Sequence, residues 1–557
     1  MTTTLLDLSS PQNGSTHRID NDRLRDGFTI EAWIHATADT RTEGMQSLAS
    51  IWTPRETFDA FSAFDAGSTD RLITRGYFGA CFDGRYVYFC PELTEQLATH
   101  GVVLRFDTHG DFKDPRSYSA YNANPTAGIE CHGYYGGAFD GRYIYFIPRQ
   151  LDRREYHTHL LRLDTHGEFK DPKSWDAYNI GPDQSNQGCA FDGRYLYLCP
   201  GYHGNPNGNQ LDCGNFIRYD TTKPFKDATS YQSIEVKPFL GEGAGTYDGA
   251  AFDGRYVYFV PLSSYPVRYD THGRFDDPAS WQKFESKQIG MGIGVGAIYD
   301  GRWIYYVPYA NSMVARFDTT ARDFSDPKNW QIRDVDLMYG NRTCGFDGGF
   351  FDGRFVTFVP FIYGSPEEKY TLHGNYLRYD VLQPFGEDSS WQVRDTYFTE
   401  GLRTIGFNAG AFDGRYFYAA PWRSLCGLTA GQIGVSGRVL RYDSTGDAAA
   451  FALRFCDVGH NGGLCAATPG PTFLINTTRG ARNVAAYKPL PAGKYHILGR
   501  YDGSALSLYI NGSEVATRKV SEILQLNDQP LIIGAMAGGA AAFAGRIERI
   551  ALRTGIA

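Results

Sequence analysis

The sequence lacks any run of Lys and Arg, and its 54 basic residues stand against 62 acidic ones for a formal charge of −8. A surface that follows a phosphate backbone needs clustered cations, so no nucleic-acid partner is expected. No apolar stretch approaches the ~20 residues needed to cross a bilayer, so no membrane partner is expected either. The first ten residues have no basic segment followed by an apolar one, which points to a soluble, cytoplasmic protein with leaderless export left open. The ten cysteines are scattered through 557 residues without the spacing of a small disulfide scaffold. A Gly-x-Ser-x-Gly elbow, a His-Glu-x-x-His pair, a P-loop and a dinucleotide fingerprint in a strand-helix context are all missing. Charged residues make up 21% and hydrophobic residues 42%, which excludes a disordered, collagenous or coiled-coil chain.

What the sequence has in excess is aromatic residues and glycine: 38 Tyr, 37 Phe, 8 Trp and 64 Gly. Both follow from a repeat. The phrase Phe82-Asp83-Gly84-Arg85, continued by Tyr86-Val87-Tyr88-Phe89-Cys90-Pro91, returns with its Asp at Asp140, Asp192, Asp253, Asp300, Asp352 and Asp413. A second phrase, Arg-aromatic-Asp or a close variant, follows at Asp107, Asp164, Asp220, Asp270, Asp318, Asp380 and Asp443. Most units then carry a turn such as Asp171-Pro172-Lys173-Ser174-Trp175. Each unit reads as strand, Asp-Gly turn, aromatic strand ended by Pro, loop, Arg-Tyr-Asp strand, polar turn and final strand. Four antiparallel strands repeated seven times predict an all-β fold with a seven-bladed β-propeller. Because Asp, Gly and Arg recur in every unit, they are read as scaffold, as are His109, His166 and His272 of the Thr-His-Gly turns.

The ends carry a different pattern. Phe28-Thr29-Ile30-Glu31-Ala32-Trp33-Ile34 alternates as a half-buried strand, and Tyr495 to Gly512 contains two strands bounded by Asp-Gly and Asn-Gly turns. At these residues the chain resembles the laminin G-like, concanavalin A-like jelly-roll family. The resemblance implies one β-sandwich split by the inserted propeller: 1–67 and 458–557 for the jelly roll, 68–457 for the propeller. It also implies glycan or protein binding, commonly with calcium. The phrase Ala452 to Asp457 resembles earlier outermost strands, so it is expected to end the last blade. Both connections would then emerge on the face where the inner strands begin, and the jelly roll would sit there.

Repeats also separate scaffold from variable positions. Four residues before each repeated Asp stand Gly79, Gly136, Gly188, Gly249, Gly296, Gly348 and Ala409, read as small because inner strands crowd together. Five before stand Phe78, Tyr135, Gln187, Asp248, Val295, Asp347 and Asn408, expected to ring the channel mouth facing the jelly roll. Arg75, Glu130, His132, Gln184, Arg342 and Arg403 stand close by in sequence. Acid, base, amide and aromatic groups at a concave mouth suit a small-molecule or saccharide ligand. The candidate acid-base groups are His132, Asp248 and Asp347. Arg75, Glu130, Tyr135, Gln187, Arg342, Arg403 and Asn408 are the candidate ligand-binding residues.

Loops after the second strands bring Arg149, Arg153, His157, His159, Tyr202, His203, Tyr363, His373, Trp422 and Arg423 to the same face. His157 and His159 in an extended segment could meet a metal, as could Cys456, His460 and Cys465, although a full ligand set is visible for neither. Cys456 with Cys465, and Cys199 with Cys213, are alternative disulfides. The turn differs from the Ser-x-Asp-x-Gly-x-Thr-Trp box of sialidase-like propellers. The functional expectation is a ligand-handling protein of hydrolase or lyase type. A lectin-like glycan or protein-binding module without catalysis and a structural or assembly protein are the alternatives.

Overall fold

The computed structural model describes residues 3–37, 44–96, 98–152, 154–206, 208–263, 265–364, 371–424, 434–455 and 470–555. It is all-β, and its main elements are six four-stranded antiparallel sheets, one five-stranded sheet in which Gln210–Asp212 is the additional strand, and two six-stranded sheets. The first four-stranded sheet takes Tyr77–Phe82, Tyr86–Pro91, Val102–Asp107 and Tyr118–Asn122 in chain order. The next five sheets repeat that order, beginning at Tyr134, Gln184, Tyr247, Gly294 and Phe346. The first strand of each sheet touches the first strands of the sheets before and after it, and Phe407–Phe412 of the seventh sheet touches Tyr77–Phe82. The seven sheets therefore close a ring, consistent with the radial arrangement expected from the repeat.

The seventh sheet is completed from the other end of the sequence. Phe407–Phe412, Tyr416–Pro421 and Arg438–Asp443 supply three strands, and the fourth is Phe61–Asp65. Leu440 pairs with Ala63 and Tyr442 with Phe61. The expectation that Ala452–Asp457 would end the last repeat is corrected: Ala449–Phe455 pairs instead with Gln46–Trp52 and Pro471–Thr477 in a six-stranded sheet. Its seven residues are all buried, as a central strand between two others requires and an outermost strand does not.

The six-stranded sheets join both ends of the chain. One contains Thr3–Ser9, Phe28–Ala36, Gly493–Tyr501, Ala505–Ile510, Ser513–Lys519 and Arg546–Thr554. The other contains Ser15–His17, Gln46–Trp52, Ala449–Phe455, Pro471–Thr477, Gly480–Ala485 and Leu531–Ile533. Alternation in Phe28–Ala36 sends Phe28, Ile30, Ala32 and Ile34 into a core shared with Leu48, Phe451, Phe473 and Ile550. Neither terminal segment could form that core by itself, because the strand Phe28–Ala36 lies between Gly493–Tyr501 and Arg546–Thr554.

The repeated Asp-Gly-Arg turn has the structural duty that its recurrence implies. Asp253 Oδ1 accepts hydrogen bonds from the backbone N–H groups of Arg255 and Tyr256 at 2.8 and 2.6 Å, and its Oδ2 accepts from the Tyr258 hydroxyl at 2.7 Å. Arg255 reaches across to Asp270 at the end of the third strand, closest contact 2.6 Å. One carboxylate thus caps the turn while the Arg locks its edge to the next strand. Burial raises the pKa of Asp253 although these donors oppose it. The sixth unit departs from the pattern. Thr357 replaces the tyrosine there, leaving Asp352 Oδ2 and Thr357 Oγ1 without hydrogen-bond partners, and burial pushes the Asp352 carboxyl up to about 6. Asp253→Ala removes three acceptor contacts at once, at roughly 1–3 kcal/mol for a buried group left unmade. We expect a clear fall in denaturation temperature, and an unchanged melt would remove the turn from the list of stabilising elements.

The Asp-Gly turns also mark the face on which the two parts of the molecule meet. The Tyr487 hydroxyl donates to the Asp83 carbonyl at 3.1 Å, Asn483 Nδ2 donates to the Gly84 carbonyl at 3.3 Å, and Arg518 bonds that same carbonyl. Arg415 donates to Asn476 Oδ1. Gly84 has φ +94°, and a Cβ there would lie 2.0 Å from the Tyr487 hydroxyl oxygen. At Gly353, φ +100°, a Cβ would lie 2.2 Å from Met536 Sδ. Glycine is needed twice over, for the turn and for the approach of the sandwich. The sandwich therefore packs where the first strands end, opposite the face on which they begin, and the expected placement is reversed. The reason is the closing strand: with Phe61–Asp65 outermost, the chain enters and leaves the ring beside the Asp-Gly turns.

Candidate functional site

The channel cavity, about 760 Å³, opens on the face away from the sandwich. Two sets of residues line it, each at a fixed place in the repeat. The inner set is the position five before the repeated Asp. In every sheet the pairing of the first and second strands shifts register here, as between Tyr77 and Ala80 or Tyr247 and Ala250. The following residue has positive φ throughout, including Ala409 at 44°. A β-bulge re-aims a side chain, and this one turns the variable residue toward the axis. The small residues beside it are thus set by left-handed backbone, a requirement that spacing alone does not show.

The outer set is the residue directly after the Pro that ends each second strand: Glu92, Arg149, Gly201, Leu262, Tyr309, Phe361 and Trp422. All but Gly201 line the cavity. Because Pro91 pairs with Tyr77, Glu92 stands one step beyond the start of the first strand, nearer the opening than Phe78. Glu92 was not anticipated. Comparing the position after Pro across the seven units, as was done for the position before Asp, is the signal that finds it.

The two sets bring aromatic, apolar and polar groups to one cavity wall. Phe78 stacks on Tyr135 with centroids 4.0 Å apart and meets Trp422 at 4.3 Å. Arg149 lies over both Phe78 and Tyr135, at 5.7 and 5.3 Å from their centroids. Its guanidinium pairs with Glu92 Oε1 at 2.6 Å, and Trp422 Nε1 donates to Glu92 Oε2 at 3.1 Å. Glu92 is only 1% exposed, so this ion pair is held in a poorly solvated setting. The polar members of the inner set, Gln187, Asp248, Asp347 and Asn408, are all buried. Asp248 Oδ2 accepts from the Tyr135 hydroxyl at 2.8 Å and from Gln187 Nε2 at 2.6 Å. Asp347 Oδ2 accepts from Asn408 Nδ2. Burial pushes the Asp248 carboxyl up to about 7. Burial also raises Asp347 well above the usual carboxylate range, with the Asp248 charge adding to it.

Of the residues singled out from sequence, Tyr135, Gln187, Asp248, Asp347 and Asn408 come together here. Phe78, Arg149, Tyr202, Val295, Trp422 and Arg423 line the cavity as well, whereas Arg75, Glu130, His132, Arg342 and Arg403 do not. His132 Nδ1 meets Thr99 Oγ1 at 2.5 Å in a network with Asp152, and Glu130 lies 4.0 Å from its Nε2. Arg75 pairs with Glu95 at 3.4 Å, Arg342 with Asp336 at 2.6 Å, and Arg403 lies over Tyr397 and Phe398. Each is held in the connection between one sheet and the next, outside the channel.

His157 and His159 are occupied by the backbone. His157 Nε2 faces the Gly133 carbonyl at 3.4 Å, its Nδ1 accepts from the His159 N–H at 3.1 Å, and His159 Nδ1 meets the Glu130 carbonyl at 2.9 Å. His100 in the first unit and His373 in the sixth hold the corresponding Gly76 and Gly345 carbonyls. The buried imidazole is thus a recurrent tie between a loop and the start of a first strand. Among the described residues no three His, Cys, Asp or Glu side chains converge as a metal-binding group. Cys199 and Cys213 are free, buried thiols, which corrects the disulfide alternative. Cys456, His460, Cys465 and Arg153 lie outside the described residues.

Residues 439–554 match the concanavalin A-like lectin/glucanases superfamily. That span runs from the third strand of the seventh sheet to the last strand of the sandwich, so the sandwich half supplied by the end of the chain is jelly-roll, concanavalin A-like. No curated protein matches the chain. No described helix is long and apolar enough to cross a membrane.

Burial holds His100, His157 and His373 neutral, lowering their pKa values to about 4, 3 and 4. The unfolded chain binds these protons near pH 6.5 while the folded chain resists them, so their contribution to stability is full above about 6.5 and falls as pH drops toward 4. Urea midpoints of His157→Gln against the parent at pH 7.5 and 4.5 check this. The parent should lose more stability on acidification than the variant, and parallel losses would show that His157 is not part of the acid response.

Proposed function

We propose that the ring of sheets is a seven-bladed β-propeller, spanning Phe61 to Asp443, carried on a jelly roll built from both chain ends, and that the protein binds a saccharide at the channel mouth. The observation that carries this reading is the mixed lining of one cavity of ligand size, in which the stacked pair Phe78 and Tyr135 and the adjoining Trp422 stand beside Gln187, Asp248 and Asp347. A sugar presents an apolar C–H face to an aromatic ring and hydroxyls to carboxylates and amides, and this wall offers both. The match of the sandwich to lectins and glucanases supports a carbohydrate-related role. The hydrolase or lyase form of the reading retains Asp248 and Asp347 as carboxylates in the cavity, while His132 lies outside it.

A second reading places the glycan on the sandwich. On one six-stranded sheet Trp33 stacks on His496 with centroids 4.4 Å apart, and Arg549 lies over Trp33 at 4.7 Å. Glu31 meets His496 Nε2 at 2.9 Å. This is a second aromatic and charged group, built from His496 and Arg549 of the segment that matches the lectin/glucanases superfamily and Glu31 and Trp33 of the strand paired with it.

A glycan array followed by calorimetry separates the two. Trp422→Ala should weaken binding of the array's best ligand by about tenfold, the scale of one lost aromatic contact with its hydrogen bond, while Trp33→Ala leaves it unchanged. The reverse pattern moves the site to the sandwich, and an array silent for the intact protein ends the saccharide proposal.

A further inference from the structure

The inner set of channel residues contains one device twice. Gln187 of the third sheet donates its amide N–H to Asp248 of the fourth, and Asn408 of the seventh donates its own to Asp347 of the sixth. In each pair the amide nitrogen is turned to the carboxylate, so the amide oxygen is turned from it. The result is four oxygens with no hydrogen-bond partner: Gln187 Oε1, Asp248 Oδ1, Asn408 Oδ1 and Asp347 Oδ1. All four residues are at most 2% exposed, and Gln187, Asp248 and Asp347 line the cavity.

Buried acceptors left unpaired are costly, and each calls for an explanation. Among the described residues no protein donor reaches these four oxygens. Arg149 pairs with Glu92 through its terminal nitrogen and leaves its Nε without a partner, bonding none of these oxygens, while the Tyr135 hydroxyl is directed to the other oxygen of Asp248. The set is also specific in kind: two carboxylates and two amide carbonyls, with no imidazole or thiolate among them. Oxygen-only donors of this type select hard cations over zinc or copper, and two carboxylates balance a charge of two.

We propose that Gln187, Asp248, Asp347 and Asn408 form a site for a hard divalent cation of the calcium type on the axis of the ring, below the outer set of cavity residues. A calcium ion takes six to eight oxygens, so these four would leave positions open toward the cavity. The site stands independently of the saccharide reading; where both hold, ligand hydroxyls would fill the open positions.

The test uses the intact protein stripped with EDTA. Calcium, and magnesium in a parallel titration, are added in a calorimeter and in a thermal melt. The parent should bind one calcium that Asp248→Asn and Asp347→Asn each weaken by more than about tenfold, the scale on which supporting groups tune metal affinity, and should melt higher with calcium while the variants do not respond. A calcium site on the sandwich would persist in both variants, so binding unchanged by either substitution overturns the proposal. Absence of divalent binding by the parent overturns it as well. Should a variant fail to fold, a crystal of the parent soaked in calcium decides: an ion peak about 2.3–2.6 Å from the carboxylate oxygens is expected, and a water at hydrogen-bond distance in its place refutes the site. Glycan binding measured in the same stripped and reloaded samples keeps the two proposals separate, since either can fail while the other stands.

Discussion

The pairing of Phe61–Asp65 with Arg438–Asp443 is the contact on which the rest of the molecule depends. Without it the seventh sheet has three strands and an open edge, and the ring is held only by packing between neighbours. With it, the two chain crossings are fixed beside the Asp-Gly turns, and Gln46–Trp52 and Ala449–Phe455 leave the ring close enough to pair with each other. The sandwich is therefore seated by the same closure that completes the ring. The opposite face is left clear, and the channel cavity opens there.

The repeat made the scaffold legible. An Asp that caps a turn through two backbone N–H groups must keep its spacing to the Arg beside it, so Asp-Gly-Arg recurs in every unit, and the tyrosine hydroxyl that completes the cap is absent only in the sixth, where Thr357 stands. The inner set of channel residues was legible for the complementary reason: a position that the bulge points into open space is free of the scaffold's demands, and it varies from Phe78 to Asp248 to Asn408. The outer set varies in the same way one strand later, after the repeated Pro, yet Glu92, which holds Arg149 and Trp422, was not singled out from sequence.

Three features were not legible, each because it depends on a distant partner. Ala449–Phe455 looks like an outermost strand by composition, and only its pairing with Gln46–Trp52 shows otherwise. The face taken by the sandwich follows from which strand closes the ring, not from any local pattern. His132, Arg75 and Arg342 stand a few residues from the channel set in sequence, yet the connections between sheets carry them outward, where Thr99, Glu95 and Asp336 engage them. Proximity in sequence ends at the bulge, where the backbone changes direction.

The closing strand also orders events in time. Phe61–Asp65 is made among the first residues of the chain and its partner Arg438–Asp443 almost four hundred residues later, so on the ribosome the early strand waits while six complete sheets emerge behind it. Closing the ring joins strands almost four hundred residues apart, at a loop-closure cost that rises only logarithmically with the intervening length. Until that step, the edge of Arg438–Asp443 offers unpaired backbone to any extended segment, and a neighbouring chain's Phe61–Asp65 presents the same surface as its own. The geometry that makes a closed ring from one chain is thus the geometry by which two chains could exchange a strand, and the link between Trp52 and Phe61 sets which of the two closures is within reach.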